Sequence, residues 1–394
     1  MITGIPDFTP MRLTQAREAR GLSLTELADL CGVSRQSISN YENSKQSPTQ
    51  LVLERIAEKL NLPAQFFLRP YQQRDNSRIF FRALSAATKK ARTRAGRRLE
   101  WLEETIDYLK EFIDFLPVNI PNFDVGKSLH VLNNDEIEDI AIKCRREWGL
   151  GDGPIANMVR LLENQGTIMA LLRLDANNLD SFSVWYSNMP IIVVGNDKCS
   201  AVRLRFDSAH ELGHLVLHRS IDKIGRYFKE VEAQASRFAS AFLLPAKAFA
   251  KDFSYPTLNS FLSIKLKWKV SIKAMIKRCH DLNIIGDDYA QKLYINYNQR
   301  RWARNEPFDD ELKPEEPMFC RRCVDLMIKE KIQSREGLLG NLALASNDIE
   351  ELLTLPRDFF AHNSNIEYLP QVRKPTTSKD HSGGIVIPFD KKRG

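Results

Sequence analysis

The sequence predicts a multidomain chain: a small all-α module, then an α+β domain, then a C-terminal helical region. Its 394 residues exceed what one hydrophobic core usually organises, so more than one domain is expected. Residues 11–70 carry short helical patterns and no strand-like run. Three strand-like runs lie between residues 167 and 194, and helical patterns return after residue 256. A sheet flanked in this way by helices is typical of an α+β domain.

Changes in these patterns place the predicted boundaries. The five segments are an all-α module at residues 1–72, a basic linker with an amphipathic helix at 73–125, an α+β domain at 126–300, a helical region at 301–372 and a disordered tail at 373–394. The tail lacks periodicity and is rich in Lys, Ser, Gly and Pro, which favours disorder.

Composition narrows the class of protein only in part. Hydrophobic residues make up 43% of the chain and charged residues 27%, which indicates a folded protein. No apolar run reaches the roughly 20 residues of a membrane span and no signal-peptide pattern is present, so we expect a cytoplasmic protein with no membrane partner. Six scattered cysteines indicate reduced thiols, and the Cys320–Cys323 spacing is interpreted as coincidental because no second pair follows. The net charge of +7 decides little about partners.

Two short helices joined by a tight turn are predicted in the first segment. Ser23 and Glu26 form a capping-box pattern that starts a helix. Gly32 tolerates a positive φ after that helix, and Ser34 is placed to cap the next one, which runs through Tyr41. This is the pattern of a helix-turn-helix, although a generic helical hairpin shows the same individual features.

The start of the second helix carries side chains suited to reading DNA. Ile38 and Tyr41 are among the apolar positions that hold the two helices together, so a polar face is directed outward. That face consists of Arg35, Gln36, Ser37, Ser39 and Asn40. In a helix-turn-helix such residues enter the major groove, where Arg pairs with guanine and Gln or Asn pairs with adenine. We therefore expect binding to double-stranded DNA.

The stretch from Arg12 to Leu62 resembles the Cro/repressor type of helix-turn-helix domain, known as the XRE family. The resemblance includes Tyr41–Asn43, which closes the second helix, and Pro48, which precedes the next helix. It implies sequence-specific binding to a DNA operator, usually as a homodimer.

A basic cluster and an amphipathic pattern follow this module. The cluster comprises Arg78, Arg82, Lys89, Lys90, Arg92, Arg94, Arg97 and Arg98. Apolar residues then recur at helical spacing from Leu99 to Phe115, which predicts a helix that links two domains. Two interpretations of the cluster stay open: a solvated helix face, or an extension that contacts DNA phosphates.

Residues 210–214 have the HExxH pattern, which predicts a metal site. His210 and His214 lie four residues apart, on one face of a helix, where both can bind one Zn²⁺ ion. Glu211 then lies beside the metal, where it can act as a general base while the metal polarises a scissile carbonyl. A structural alternative exists, because Ser208 and Glu211 also spell a capping box. The two histidines argue against it.

A tetrahedral zinc site in a peptidase needs a third protein ligand, and the segment 229–244 offers two carboxylates. Glu232 shares a helical face with the small residues Ala235 and Ser236, which would let its helix approach the histidines closely. Glu230 shares a face with Gln234 and Arg237, which we expect to be solvated. The prediction is therefore Glu232.

Two further residues flank the predicted site. We expect Asp207 to cap the start of the helix that bears the histidines. His218 extends the stripe of His210 and His214 by one turn. It either contacts a ligand side chain or the substrate, or it is a packed core histidine.

The segment Arg203–His218 is similar to the ImmA/IrrE family of metallo-endopeptidases, which have a zincin-like fold. The similarity continues through Glu232–Pro245 and begins upstream near Trp148–Ile155. It implies that the third zinc ligand lies on the helix that carries Glu232. Ser236 stands where many members carry Asn or Asp, so it is a candidate contact of the ligand side chains and a departure from the family's pattern.

For function, the resemblance implies regulated cleavage of a specific repressor-type protein in a stress or mobile-element response. Our first hypothesis is therefore a DNA-binding regulator with a zinc-dependent endopeptidase domain, in which the strand Phe182–Tyr186 offers an edge to an extended substrate. The second hypothesis is a DNA-binding or antitoxin-like regulator whose metal domain is a sensor or is catalytically silent. A Glu211→Gln variant separates the two hypotheses.

Overall fold

The computed structural model describes residues 4–73, 88–123, 132–175, 179–196, 200–219 and 227–361. The disordered tail predicted at 373–394 lies outside these residues, as do Arg78 and Arg82 of the basic cluster.

The N-terminal helices begin and end where local capping predicts. Ser23 and Glu26 exchange both hydrogen bonds of a capping box, Gly32 has a φ of 62°, and Ser34 accepts a hydrogen bond from the backbone N–H of Ser37. The predicted pair of short helices and its turn are thereby confirmed. The elements of this region are α1 (Pro10–Ala19), α2 (Leu24–Cys31), α3 (Arg35–Glu42), α4 (Gln50–Leu60) and a 3₁₀ turn (Ala64–Leu68).

The linking helix α5 (Lys89–Lys110) is present, and its arginines bind carboxylates within the chain. Arg94 pairs with Asp175, Arg97 with Glu18, and Arg98 with Glu351. Arg97 also pairs with Glu100 one turn along the same helix. Neither interpretation of the basic cluster describes these three arginines, because they are tied to the fold and are not available to phosphates. Lys89 and Lys90 are exposed at the start of the helix.

The next region contains the three predicted strands and a series of helices. Its elements are α6 (Asn134–Glu147), α7 (Met158–Asn164), β1 (Ile168–Leu172), β2 (Ser181–Tyr186), β3 (Met189–Gly195), α8 (Ala201–Leu217), α9 (Phe228–Leu243), α10 (Ala246–Ala250), α11 (Leu258–Trp268), α12 (Ile272–Asp281) and α13 (Asp287–Gln299).

The strands form one sheet in the order β1-β3-β2, with β1 parallel and β2 antiparallel to β3. A two-residue turn, Ser187–Asn188, joins β2 to β3, and both of its residues have positive φ, as expected of a tight hairpin. On its other side β2 has no strand partner among the described residues. It is therefore an edge strand, and α8 packs across it.

Both faces of the sheet are buried, each in a different hydrophobic core. Phe182, Val184 and Ile191 face a first core, which also contains α1–α5 and the C-terminal helices. Met169 and Ile192 face a second core, which contains α6, α8, α9 and α11–α13. Alternate residues of a strand thus belong to different cores. The sheet is therefore shared between the core of the N-terminal module and the core of the α+β region.

The C-terminal helices are α14 (Phe319–Lys329), α15 (Arg335–Leu342) and α16 (Ser346–Leu352). Buried carboxylates fix this region to the rest of the chain. Glu315 binds Arg205 of α8 and accepts the backbone N–H groups at the start of α7. Asp348 of α16 pairs with Arg20, next to α1. The described residues up to Phe360 belong to one compact unit.

None of the described helices is both long and apolar enough to cross a membrane. Cys320 and Cys323 lie one turn apart in α14, and both are buried in the first core as free thiols. This supports the interpretation of their spacing as coincidental.

Candidate metal centre

The helix that carries the two histidines begins earlier than predicted. Ser200 caps α8 by accepting the backbone N–H of Arg203, so Asp207 lies inside the helix and the prediction that it is the N-cap is wrong. The capping-box alternative is also absent, because Ser208 donates to the carbonyl of Leu204 one turn earlier. Glu211 is therefore free of any capping role.

Three predicted donor side chains converge between α8 and α9. The Nε2 atoms of His210 and His214 are 3.0 Å apart, and each lies 3.3 Å from a carboxylate oxygen of Glu232. One ligand atom from each residue fits within a span of 4.8 Å. Glu230 is exposed, and we infer from this that it takes no part in the site. The structure brings together the set that the helical-face argument selected.

Close packing of the two helices allows this convergence. The backbone of α8 at Gly213 meets α9 at Ala235, where an added Cβ would lie 3.1 Å from the Ala235 carbonyl oxygen. Such contacts are shorter than ordinary van der Waals distances, so a side chain at position 213 would push the helices apart. Small residues on both helices therefore set the distance between the histidines and Glu232.

The donor set fits zinc. Tetrahedral Zn²⁺ with ligand bonds of about 2.0–2.1 Å separates its ligand atoms by about 3.3 Å, close to the separations found here. Oε1 of Glu232 is buried without a hydrogen-bond partner, as expected of an atom whose natural partner is a cation.

Burial and neighbouring charges shift the pKa values of three side chains at the site. Burial raises the pKa of Glu232, but its contacts with the imidazoles of His210 and His214 outweigh burial and lower that pKa to about 2. Burial lowers the pKa of His210, but Glu232 and Glu211 outweigh it and raise that pKa. Burial also raises the pKa of Asp207 to about 7, against the opposing effect of Arg203. Glu232 is therefore kept ionised beside the two imidazoles, as binding of a cation requires, whereas the raised pKa of Asp207 favours its neutral form.

Glu211 is held by residues that the sequence analysis missed. Its side chain is almost fully buried, and its two carboxylate oxygens accept hydrogen bonds from Ser181 Oγ at 2.6 Å and Ser183 Oγ at 2.7 Å. Both serines belong to β2. The alternation of two serines along a predicted edge strand was a visible signal, but only the tertiary structure shows which carboxylate they meet.

The flanking candidates contact the ligand side chains. Ser236 Oγ lies 3.2 Å from His210 Nδ1, and His218 Nδ1 lies 3.0 Å from His214 Nδ1. His218 Nε2 in turn lies 3.0 Å from Gln234 Oε1. Each ligand imidazole thus has a partner on the nitrogen that faces away from the site, which fixes the orientation of its ring.

The face of α9 that carries Glu230, Gln234 and Arg237 was expected to be solvated, but it is only partly exposed. Gln234 contacts His218, and Arg237 pairs with Glu138 of α6. The prediction was wrong for Arg237 because α6 packs against α9, and for Gln234 because His218 at the end of α8 contacts it. Helical periodicity reveals neither long-range contact.

The predicted DNA-reading residues lie at the start of α3. Arg35 and Gln36 are exposed, and Gln36 donates to Asn40 at 2.8 Å. Ser37, Ser39 and Asn40 are half-buried. Ile38 and Tyr41 are buried, as predicted.

Comparison with protein families defines the class of both parts. Residues 13–67 match the family described as helix-turn-helix, and residues 163–280 match a peptidase family described as the IrrE N-terminal-like domain. The two resemblances drawn from the sequence are thereby confirmed. The chain fuses a helix-turn-helix domain of the regulator type to a domain of a metallopeptidase family.

A known relative agrees with the first of these matches. The chain is 40% identical over 65 residues to the "HTH-type transcriptional regulator SutR" of Escherichia coli (strain K12). The match covers 16% of this chain and 36% of that relative.

Proposed function

We propose that the protein is a DNA-binding transcriptional regulator that also acts as a zinc-dependent endopeptidase. The observation that carries the peptidase part is the convergence of His210, His214 and Glu232 beside the buried carboxylate of Glu211. Its proposed substrate is a specific repressor or other regulatory protein, cleaved in a stress or mobile-element response. The substrate class rests on the family resemblance.

His210, His214 and Glu232 would hold the metal. Zn²⁺, when bound, supplies a Lewis acid that polarises a peptide carbonyl and acidifies water. Glu211 takes the proton from the attacking water and passes it to the leaving amine. Ser236 and His218 hold the two imidazole rings in place. Asp207, three residues before His210 and therefore on the same helical face, is proposed as a further contact near the ligands.

The edge strand β2 is the proposed substrate platform. A peptide in extended conformation can add to an unpaired strand edge through backbone hydrogen bonds, which gives affinity without requiring particular side chains. Because Ser181 and Ser183 of this strand touch Glu211, a peptide on the edge lies next to the general base.

The N-terminal domain is proposed to bind a double-stranded DNA operator as a homodimer. Arg35 and Gln36 are exposed at the start of α3, where a recognition helix contacts base edges. The donors and acceptors of Arg35, Gln36, Ser37, Ser39 and Asn40 suit this contact.

Metal analysis of the purified chain tests the site. We expect about one Zn²⁺ per chain in the wild type and none in His214→Ala or Glu232→Ala, because two protein ligands hold zinc poorly. Zinc retained by Glu232→Ala would place the third ligand elsewhere.

Glu211→Gln then separates the two functional hypotheses. It keeps the shape of the side chain and should keep zinc and DNA binding, but it removes the general base. Loss of cleavage and of the regulatory effect together would support a peptidase. Regulation that persists in the variant would instead favour a DNA-binding regulator with a sensory or silent metal domain.

A further inference from the structure

The two serines of β2 stand between the edge of the sheet and Glu211. Ser181 and Ser183 alternate along the strand, so both side chains lie on the face that packs against α8. Their hydroxyls donate to different oxygens of one carboxylate, at 2.6 and 2.7 Å. Because each oxygen has its own partner, the pair fixes the rotation of the carboxylate as well as its position.

Glu211 needs such partners because it is only 2% exposed to solvent. A buried carboxylate is stable only when hydrogen bonds or cations replace its hydration. Any two polar groups could meet that need. Their position suggests a role in catalysis, because they lie on the strand that forms the edge of the sheet in the described part of the chain.

The register of the sheet places the backbone of the same serines at that edge. The N–H of Gly195 donates to the carbonyl of Asp180, so the even-numbered residues of β2 are those bonded to β3. The hairpin agrees, because the two-residue turn Ser187–Asn188 closes on such a bonded pair. The backbone N–H and C=O groups of Ser181 and Ser183 therefore point away from β3, toward the free edge.

We infer that Ser181 and Ser183 are positioning residues that orient Glu211 and link its orientation to a substrate bound along β2. An extended peptide at the edge bonds the backbone of the residues whose side chains hold Glu211. Substrate binding thereby stiffens the strand that fixes the general base. The inference rests on the proposed peptidase function, and it assigns the two serines no contact with the reacting atoms.

The test compares the zinc-loaded full chain with Ser181→Ala, Ser183→Ala and the double variant. Ser181→Thr keeps the hydroxyl at the less buried of the two positions and should rescue. Ser208→Ala is the matched control, because Ser208 is a fully buried serine of α8 whose hydroxyl donates to Leu204 and not to Glu211.

Two readouts are measured beside zinc content. The first is kcat and KM for cleavage of a quenched-fluorescent random peptide library. We expect each alanine to lower kcat about tenfold and the double variant about 100-fold, with KM and zinc content unchanged, because a misplaced base loses orientation but not the metal. Ser181→Thr and Ser208→Ala should stay within about twofold of the wild type.

The second readout is the affinity for acetohydroxamate, a zinc-chelating probe that also donates a hydrogen bond to the carboxylate beside the metal. The double variant and Glu211→Gln should each weaken its binding about tenfold, and this readout needs no turnover. Unchanged kcat and probe affinity in the double variant, a raised kcat, or an equal loss in Ser208→Ala would overturn the inference.

Failure of the proposed peptidase function gives different results from failure of the positioning inference. A wild-type chain that binds zinc but cleaves no peptide of the library lacks general peptidase activity, and the probe affinities then decide the positioning role alone. A chain that binds no zinc overturns both proposals.

Discussion

Replacing Gly213 by alanine tests whether helix contact sets the geometry of the metal centre. The new Cβ would lie 3.1 Å from the Ala235 carbonyl oxygen and 3.2 Å from a ring carbon of Phe238. Relief of these contacts requires α9 to move by a few tenths of an ångström away from α8. Glu232 lies three residues before Ala235, so its carboxylate retreats from the histidines with the helix.

Two opposing effects determine the stability of this variant. Alanine is better than glycine inside a helix by about 1 kcal/mol, whereas overpacking costs about 1–3 kcal/mol. We expect the free energy of unfolding to fall by about 0–2 kcal/mol and zinc affinity to fall about tenfold, since a displaced ligand weakens the site more than the fold. Gly340→Ala in α15 is the control, because its added Cβ meets nothing within 4 Å.

Urea unfolding of the metal-free chains and competition with a chromophoric zinc chelator measure the two quantities. Gly340→Ala should stabilise the chain by about 0.5–1 kcal/mol and leave zinc affinity unchanged. If Gly213→Ala stabilises to the same extent and binds zinc as tightly as the wild type, close packing of α8 on α9 does not set the ligand geometry.

Three further predictions concern other parts of the chain. In the metal-free protein, Glu232→Gln should lower the melting temperature most between pH 4.5 and 6.5, because the pair with His210 stabilises fully only above the ordinary carboxyl pKa of 4.5 and below the ordinary imidazole pKa of 6.5. The difference should shrink as the pH falls toward 2, the lowered pKa of Glu232, or rises through the raised pKa of His210; a pH-independent difference contradicts the argument. Arg35→Ala should weaken operator binding by about 1–3 kcal/mol in fluorescence anisotropy at fixed salt, and an unchanged affinity would remove this residue from the DNA interface. Asp348→Ala should cost about 2 kcal/mol in urea unfolding, because it leaves the Arg20 guanidinium without its carboxylate, and a loss below about 0.5 kcal/mol would show that the pair is only a surface contact.

Local signals in the sequence predicted the elements whose causes are local. The capping box at Ser23, the turn at Gly32 and the three strand-like runs need only neighbouring residues, and the structure has all of them. The spacing of His210 and His214 is likewise a property of one helix. Glu232 could be selected because small residues on one helical face indicate a close neighbour.

Features that depend on distant residues were not predictable in the same way. The start of α8 at Ser200 was missed because Asp207 and Ser208 offered equally good capping chemistry closer to the motif. Arg94, Arg97 and Arg98 each bind a carboxylate far along the chain, so charge clustering alone suggested solvent or phosphate. The serines that hold Glu211 come from a strand that only tertiary packing brings to α8.

Because both faces of the sheet are buried, we expect that the α+β region will not fold stably when it is separated from the rest of the chain. A fragment cut at the predicted boundaries 126–300 would lose Ile120 from the second core, and it would uncover Phe182, Val184 and Ile191 on the opposite face of the sheet. Exposure of each large apolar side chain would lower the free energy of unfolding by about 1.5–3 kcal/mol, and the exposed face of the sheet would favour aggregation. Swapping the helix-turn-helix for that of another protein would have to preserve the surface of α1 that packs against α5, because α5 shares the first core with the sheet.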